Sequence, residues 1–346
     1  YLRNRGRDFL SNDYESGDAS WVSGRFRRLN AQIGAYETYD DALYGVKAFQ
    51  SMSLLIRDEA ASERVMNAIG GLQAIEDSLP HTQHKRVREN IPVGVYHVIA
   101  DFGQARGANT ATILPNDALH SRRYGRTILL RGNVMTQPQL FGNGKAAWDA
   151  AVAPAHADEL LPEGNFHRTL WHEIGHYLGV DRDRQGRTLD VALENAADAL
   201  EEMKSDLVSL FAIPALSESG YYDSAKARSV YASGIHRVLL NVRPRRDQPY
   251  QTMQLIQFNW FVEQGLLSLD PDSVRLRIHY DRYHAAVSSL LAEVLALQYA
   301  GDAQAAEAFI TRWTEWRPEL HEAIAERIRA SQQYRYTLVR YAAIDD

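Results

Sequence analysis

The segment RTLWHEIGHYLG, residues 168–179, constrains the fold of this chain more than any other stretch. Apolar residues in and just before it recur at spacings of three and four: Phe166, Leu170, Trp171, Ile174 and Leu178. This period predicts a helix with a buried apolar face. On such a helix His172 and His176 lie one turn apart on the same side, with Glu173 beside them. The fold must therefore bury a helix that presents two imidazoles in one direction.

Histidines at positions i and i+4 can bind one metal ion, and a tetrahedral catalytic zinc site needs a third protein ligand. The chain contains no cysteine, so that ligand must be another His, Asp or Glu. In residues 193–211, LENAADALEEMKSDLVSLF, polar side chains follow the helical period: Asn195, Asp198, Glu202 and Asp206. This period favours Glu202 as the ligand and places Asp206 one turn later, where it can orient a histidine. Glu201 falls on a neighbouring face and is left as a supporting or solvent residue.

Both segments also have simpler interpretations. Two histidines four residues apart can be surface residues, and an acidic stripe can be a solvated helix face. Because the two segments occur together, we predict one zinc ion per chain, held by His172, His176 and Glu202. The other histidines, including His81 and His84, have no comparable context and are expected mostly at the surface or in hydrogen bonds.

The hydrophobic period changes along the chain and predicts the fold class. In residues 40–79 the apolar residues recur at three and four, which predicts helix. Residues 91–135 contain short β-branched runs bounded by Gly, Pro and Asn, which predict a small sheet. After Leu189 nearly the whole chain has a helical pattern. We therefore expect an α+β protein, predominantly α-helical, with a small β-sheet in the N-terminal half and the zinc site on two helices.

The same changes divide the chain into three expected parts. Residues 1–28 form an N-terminal extension, residues 29–164 a mixed α/β region with substrate-binding elements, and residues 165–346 a helical zinc-binding catalytic region. Asn165 is expected to cap the helix that opens the last part.

Composition argues against two classes of protein. No stretch approaches the roughly 20 uninterrupted apolar residues of a membrane-spanning helix. A formal net charge of −6 argues against a general nucleic-acid binder.

The chain begins at Tyr1 without methionine or an apolar signal segment, which indicates a processed or trimmed amino end. The absence of cysteine favours the periplasm or a secreted route over the cytoplasm, and the oligomeric state stays open.

Five segments between about Leu29 and Gly265 resemble, in order, the zinc-dependent dipeptidyl-peptidase III family and its shorter bacterial relatives. They read LNAQIGAYETYDDALYGVKA, TILPND, WHEIGHYLG, LEEMKSDL and IQFNWFVEQGLL. Their order is more specific than any one of them. The resemblance implies a zinc metallopeptidase that cleaves peptides from a free N-terminus.

The resemblance also implies a role for each matched position. His172, His176 and Glu202 would hold zinc, Glu173 would activate water as general base, Tyr39 would hydrogen-bond the developing oxyanion, Glu37 and Asn116 would bind the ammonium of a peptide, and Glu201 and Asp206 would support the ligands. The substrate cleft is then expected between the region of Tyr39 and Asn116 and the zinc-bearing helices.

Three features depart from the pattern of the family. The motif has the ordinary His-Glu-x-x-His spacing, whereas better-known members have one more residue before the second histidine. Ile113 stands where the family has an asparagine, which removes one amide from the ammonium site. Tyr250 falls at the position of the family's catalytic histidine, so its contact with the transition state is lost or altered.

These departures keep two other functions open. Ile113 and Tyr250 suit a zinc hydrolase that acts on a non-peptide amide or ester. A metal-retaining binding protein without activity is the other alternative, against which the intact Glu173 argues. We predict a zinc peptidase that acts on a peptide or a small amide.

Overall fold

The computed structural model describes residues 1–24, 28–37, 49–87, 91–102, 110–114, 120, 123–239 and 248–331. The chain forms two compact units. The described residues of the first unit fall within Tyr1–Gly70 and Arg88–Gln137, and those of the second within Gly71–Val87 and Pro138–Arg335. The division at residues 28 and 164 that the sequence suggests remains a prediction.

The first unit is built on a five-stranded mixed sheet with the strand order β1-β2-β3-β5-β4. Its strands are β1 (Leu29–Glu37), β2 (Phe49–Arg57), β3 (Val93–Phe102), β4 (Ala111–Leu114) and β5 (Thr127–Arg131). Neighbouring strands are antiparallel except β3 and β5, which run parallel. The expected small sheet in the N-terminal half is thus confirmed, but it begins at Leu29 rather than near residue 91.

Part of the helix predicted for residues 40–79 is wrong, because residues 49–57 form strand β2. Its buried positions are Ser51, Ser53 and Leu55, whereas the next residue, Ile56, is exposed. Because two serines occupy the buried side, the alternation that marks a strand cannot be read from hydrophobicity. Within the described part of residues 40–79, helix begins only after this strand, and residues 38–48 lie outside the described part of the chain.

A buried polar network, here called the Arg131 cluster, joins four strands of the sheet. It consists of Arg131, Asp101, Gln32 and Ser53. Arg131 is fully buried, and its Nη1 donates to Asp101 Oδ2 at 2.7 Å. Its Nη2 donates to Ser53 Oγ at 3.0 Å and to Gln32 Oε1 at 3.3 Å. These bonds compensate a guanidinium that would be costly to bury without partners.

Four helices accompany the sheet in the described residues of the first unit. They are α1 (Leu2–Ser11), α2 (Glu15–Val22), α3 (Glu59–Ile69) and α5 (Gly132–Met135). Asp58 begins α3 as its N-cap, and its side chain accepts the Ala61 N–H at 2.9 Å. Between α1 and α2, Arg5 is buried and paired with Asp18 at 2.5 Å.

The second unit is predominantly helical, as the sequence predicts. Its helices are α4 (Leu72–Ser78), α6 (Pro138–Ala151), α7 (Pro162–Gly175), α8 (Leu189–Leu193), α9 (Ala197–Phe211), α10 (Ile213–Glu218), α11 (Ser224–Val238), α12 (Pro249–Glu263), α13 (Tyr283–Ala300), α14 (Ala303–Trp313) and α15 (Pro318–Ser331). A hairpin of β6 (Leu267–Asp270) and β7 (Arg275–Ile278) interrupts the helical pattern and was not predicted. Within the described part of the chain, no helix is both long enough and apolar enough to span a bilayer.

Helix α7 and its C-cap, His176, carry the His-Glu-x-x-His motif, and the helix packs against α9 and α11. It begins at Pro162, whose missing N–H costs nothing at the first helical position. The cap expected at Asn165 is therefore wrong, because Asn165 lies inside the helix. Leu170, Trp171 and Ile174 are fully buried, as the apolar period requires.

Gly175 lets α7 and α9 approach closely. A Cβ at this position would lie 2.9 Å from the Ser205 carbonyl oxygen and 3.0 Å from its Cα, both backbone atoms of α9. The chain leaves α7 at His176 and turns at Gly179, which has a φ of +80°. This contact brings the carboxylates of α9 within reach of the histidines of α7.

Candidate metal centre

Three side chains from α7, its C-terminal cap and α9 converge on one point. Glu202 Oε2 lies 3.1 Å from His172 Nε2 and 3.9 Å from His176 Nε2. The candidate ligand atoms of the three residues all lie within 4.8 Å of one another. Two ligand atoms of a tetrahedral zinc ion are separated by roughly 3.4 Å, given its usual bond lengths. The structure thus brings together the three residues that the sequence predicts as ligands.

The other ring nitrogen of each histidine is held by a carboxylate. His172 Nδ1–H donates to Asp206 Oδ1 at 2.7 Å. His176 Nδ1 lies 3.0 Å from Glu201 Oε1 and 2.9 Å from Ser205 Oγ. A proton held at Nδ1 leaves Nε2 as the nitrogen that can bind a metal, which is the arrangement of histidines that bind metals.

Glu202 provides the observation that tests whether these residues fit zinc. Its Oε2 atom is buried and has no hydrogen-bond partner. An unsatisfied carboxylate oxygen is costly to bury, yet this one faces the Nε2 atoms of His172 and His176. Two imidazoles and one carboxylate are a ligand set that zinc takes in catalytic sites. The centre therefore fits a zinc ion.

Asp206 is buried among three basic side chains, which together we call the Asp206 cluster. Arg168 Nη1 donates to it at 2.8 Å, Arg237 Nε lies 3.4 Å away, and His172 completes the set. Burial would raise the pKa of Asp206, but Arg237, His172 and Arg168 hold it well below its usual range. The carboxylate therefore stays ionised and fixes the orientation of His172.

The charged neighbours of His172 and Glu201 determine the direction in which their pKa values shift. Burial lowers the pKa of His172, but Asp206 and Glu202 outweigh it and raise the pKa to about 9. Burial raises the pKa of Glu201, but Lys204 and His176 outweigh it and lower the pKa to about 2. Since a histidine must lose its Nε2 proton to bind a metal, loading this centre should release protons.

Glu173 follows His172 directly on α7. Burial raises its pKa, an effect that His172 and His176 partly offset. A carboxylate whose pKa is shifted towards neutrality is better suited to accept and then give up a proton. These properties suit the predicted general base.

Tyr250 reaches the centre from the first turn of α12. Its hydroxyl donates to Glu202 Oε1 at 3.1 Å, and the Arg237 guanidinium lies 5.4 Å from the centre of its ring. Enclosure of the phenol and the charge of Glu202 raise the pKa of Tyr250, so the hydroxyl keeps its proton. The residue at the family's histidine position therefore contacts a candidate ligand.

The roles of the remaining predicted residues stay predictions. Tyr39 and Asn116 lie outside the described residues. Glu37 ends strand β1, where its backbone pairs with Phe49, and its side chain is not described. Ile113 lies in the short strand β4. The expected substrate cleft also remains a prediction.

Sequence reasoning missed three basic residues of this centre. Arg168 lies one turn before His172, and that helical spacing could have identified it. Lys204 is buried, and its ammonium donates to the Gly175 and Leu178 carbonyls at 2.8 and 2.9 Å, which caps the end of α7. Arg237 comes from α11 and has no local sequence pattern that points to Asp206.

By sequence, the chain is similar to a plant protein. It is 27% identical over 319 residues to "Nudix hydrolase 3" of Arabidopsis thaliana, a match that covers 90% of this chain and 41% of the plant protein. Comparison with protein-family models gives no match.

By structure, the chain is similar to two solved dipeptidyl-peptidase III proteins, each 23% identical in sequence. The protein from Caldithrix abyssi superposes with a TM-score of 0.84, over 96% of this chain and 64% of that one. The protein from Corallococcus sp. strain EGB superposes with a TM-score of 0.79, over 95% of this chain and 62% of that one. The chain has a dipeptidyl-peptidase III fold.

The dipeptidyl-peptidase III resemblance predicted from the ordered motifs is thus confirmed at the level of the fold. The chain spans less than two thirds of the length of these dipeptidyl-peptidase III proteins and about two fifths of the plant relative.

Proposed function

We propose that this chain is a zinc-dependent peptidase that cleaves peptides from a free N-terminus. The observation that carries the proposal is the convergence of the buried Glu202 Oε2 on the Nε2 atoms of His172 and His176, at 3.1 and 3.9 Å, beside the carboxylate of Glu173. The dipeptidyl-peptidase III fold supports a peptide as the substrate.

In this proposal the chain holds zinc through His172, His176 and Glu202. When bound, zinc polarises a carbonyl group and makes water a stronger acid near neutral pH. Glu173 accepts a proton from the attacking water and then delivers it to the leaving amine. Asp206 and Glu201 keep the protons of the two imidazoles at Nδ1, and Tyr250 orients Glu202 through its hydroxyl.

The binding of the substrate's amino end is proposed from the motif resemblance. Glu37 and Asn116 bind the peptide ammonium, and Tyr39 hydrogen-bonds the oxygen of the scissile carbonyl. Ile113 removes a polar partner from the ammonium site, so the preference for a free amine should be weaker than in the full family pattern.

The metal part of the proposal is tested by zinc content. Glu202→Ala should lose one zinc per chain relative to the parent, because it removes a ligand from this centre. Glu201→Ala is the matched control, since Glu201 is the neighbouring carboxylate and meets His176 at Nδ1 rather than at Nε2. Loss of zinc in Glu201→Ala with retention in Glu202→Ala would reverse the ligand assignment.

The substrate part is tested with matched peptides that carry a free or an acetylated amino end. Free peptides should be cleaved faster, and Glu37→Ala should narrow the difference, because a charge-assisted hydrogen bond to the ammonium is lost. Equal rates for both peptides in the parent protein would refute cleavage from a free N-terminus while leaving the zinc centre untouched.

A non-peptide amide or ester remains a second candidate substrate, favoured by Tyr250 at the family's histidine position and by Ile113. Hydrolysis of such compounds without cleavage of any member of a peptide library would support it. The name Nudix hydrolase belongs to a plant protein of which this chain matches 41%, so it does not decide the substrate.

A further inference from the structure

A second group of potential metal ligands lies in residues 76–84, away from the centre at His172. Glu76, His81 and His84 each offer a ligand atom, and these atoms all lie within 4.8 Å of one another. His81 Nε2 lies 3.7 Å from Glu76 Oε1, and the two imidazole rings are 4.6 Å apart between their centres. The sequence alone gave these histidines no role.

Glu76 is a fully buried carboxylate whose hydrogen bonds come from neutral groups. Its Oε1 accepts the Lys85 N–H at 3.1 Å, and its Oε2 accepts the Gly179 N–H at 2.7 Å. Among the described residues, neither a lysine nor an arginine forms an ion pair with it. A buried anion without a contacting cation is costly, so the position favours a bound cation.

His81 faces this carboxylate with an unsatisfied nitrogen. Its side chain is 8% exposed, and its Nε2 has no hydrogen-bond partner. The 3.7 Å separation from Glu76 Oε1 is too long for a hydrogen bond but close to the roughly 3.4 Å between two ligands of one zinc ion. Burial lowers the pKa of His81, which keeps the ring neutral and able to bind a metal.

The surroundings leave the third ligand accessible. His84 is exposed, so an ion can reach the group from solvent and complete its coordination with water. The ammonium of the neighbouring Lys85 is paired with Asp181, which limits its repulsion of a cation. Two imidazoles and one carboxylate suit a divalent transition metal, zinc above all.

We propose that Glu76, His81 and His84 form a second binding site for a divalent transition metal ion, with zinc as the best fit. Glu76 also accepts the N–H of Gly179, where the chain turns after α7. A bound ion therefore ties residues 76–84 to the end of the helix that carries the first centre. Metal binding through His81 Nε2 moves the ring proton to Nδ1. Nδ1 can then no longer accept the weak 3.3 Å hydrogen bond from the Gln83 N–H.

Zinc stoichiometry tests the proposal. The parent and its variants are dialysed against one buffered concentration of free zinc, and bound metal is measured by mass spectrometry. We expect two zinc ions per chain in the parent, one in His84→Ala, one in Glu202→Ala and none in the double variant. His97→Ala is the matched control. His97 is also exposed, but it belongs to neither group of potential metal ligands found among the described residues, so this variant should keep two zinc ions.

His84 is the position to change because its exposed ring adds little to folding. Equal zinc content in His84→Ala and the parent would overturn the proposal, and so would a Glu202→Ala protein that binds no zinc. In the Glu202→Ala background, added zinc should also shift the Gln83 amide resonance and raise Tm, and both responses should disappear with His84→Ala. Persistence of both responses in the double variant would also overturn it.

Discussion

The two units each bury an arginine against an aspartate, but they use the pair differently. In the Arg131 cluster the guanidinium lies 2.7 Å from Asp101, and its other bonds go to the neutral side chains Ser53 and Gln32. In the Asp206 cluster Arg168 lies 2.8 Å from the aspartate, which also binds His172. The first pair contacts only side chains of its own sheet in the hydrogen bonds named here, whereas the aspartate of the second pair also binds an imidazole.

This difference separates a structural role from a proposed functional one. The Arg131 cluster joins β1, β2, β3 and β5, so its bonds hold a sheet together. The Asp206 cluster holds a proton at Nδ1 of His172 and directs Nε2 towards Glu202. The same pair of residue types therefore predicts stability in one unit and metal chemistry in the other.

The largest expected effect comes from Glu173→Gln, which removes the proposed base and leaves both clusters intact. The amide has nearly the same shape but cannot accept the proton of water, so kcat should fall by about 10²- to 10⁴-fold. Zinc content and Tm should match the parent. Activity near the parental level would remove Glu173 from the role of base.

Arg131→Met should produce the largest loss of stability without a change in zinc content. It leaves Asp101 buried without its cation, which costs about 3–5 kcal/mol in the free energy of unfolding. The loss is measured by denaturant unfolding. The double variant Arg131→Met with Asp101→Leu should recover part of it, because no uncompensated charge remains.

Lys145→Met is the control for Arg131→Met. Lys145 pairs with Asp149 one helical turn away, at a partly exposed position, and such pairs contribute about 0–1 kcal/mol. If both substitutions lower the free energy of unfolding by the same amount, burial does not make the Arg131–Asp101 pair more important for stability than an exposed pair.

Asp206→Asn should weaken zinc binding by about 10- to 100-fold, the usual cost of altering a group that orients a ligand. Asparagine can still accept the Nδ1–H of His172 but no longer supplies a charge. Competition with a chelator measures the change. Asp198→Asn, at an exposed position about two turns before Asp206 on the same helix, is the control, and an equal effect there would assign the loss to long-range charge.

The smallest effect is expected at Asp58, the N-cap of α3, where Asp58→Ala should cost about 1 kcal/mol. The Ala61 N–H lowers the pKa of Asp58 in the folded protein. Its contribution is therefore present above the unfolded pKa of about 3.9 and is lost as pH falls through the folded value. The free energies of unfolding of parent and variant should converge at low pH. A difference that stays the same at every pH would show that the charge of Asp58 does not account for the loss of stability.

The metal centre could be predicted from sequence because its spacing is local. His172 and His176 lie on one turn of helix, and Glu202 was chosen over Glu201 by periodicity within one other helix. The structure places Glu202 opposite both Nε2 atoms and Glu201 at the Nδ1 of His176. The zinc itself and the roles of these residues stay predictions.

The sheet could not be predicted in the same way because its pattern depends on distant partners. Ser53 and Gln32 are buried polar residues whose partner, Arg131, lies on another strand far along the chain. Without that partner in view, β2 lacks a clear alternation and its apolar residues suggest a helix. Arg237 was missed for the same reason, since only the tertiary structure brings it to Asp206.

The contact at Gly175 has a consequence for directed evolution of this chain. Its two middle motif positions are not equivalent, because Ile174 is fully buried in the core whereas a Cβ at Gly175 would lie 2.9 Å from the Ser205 carbonyl oxygen. A core can repack around a new apolar side chain, but a carbonyl within a helix cannot move aside alone. A library that randomises both positions and is selected for activity should therefore return several apolar residues at 174 and glycine alone at 175.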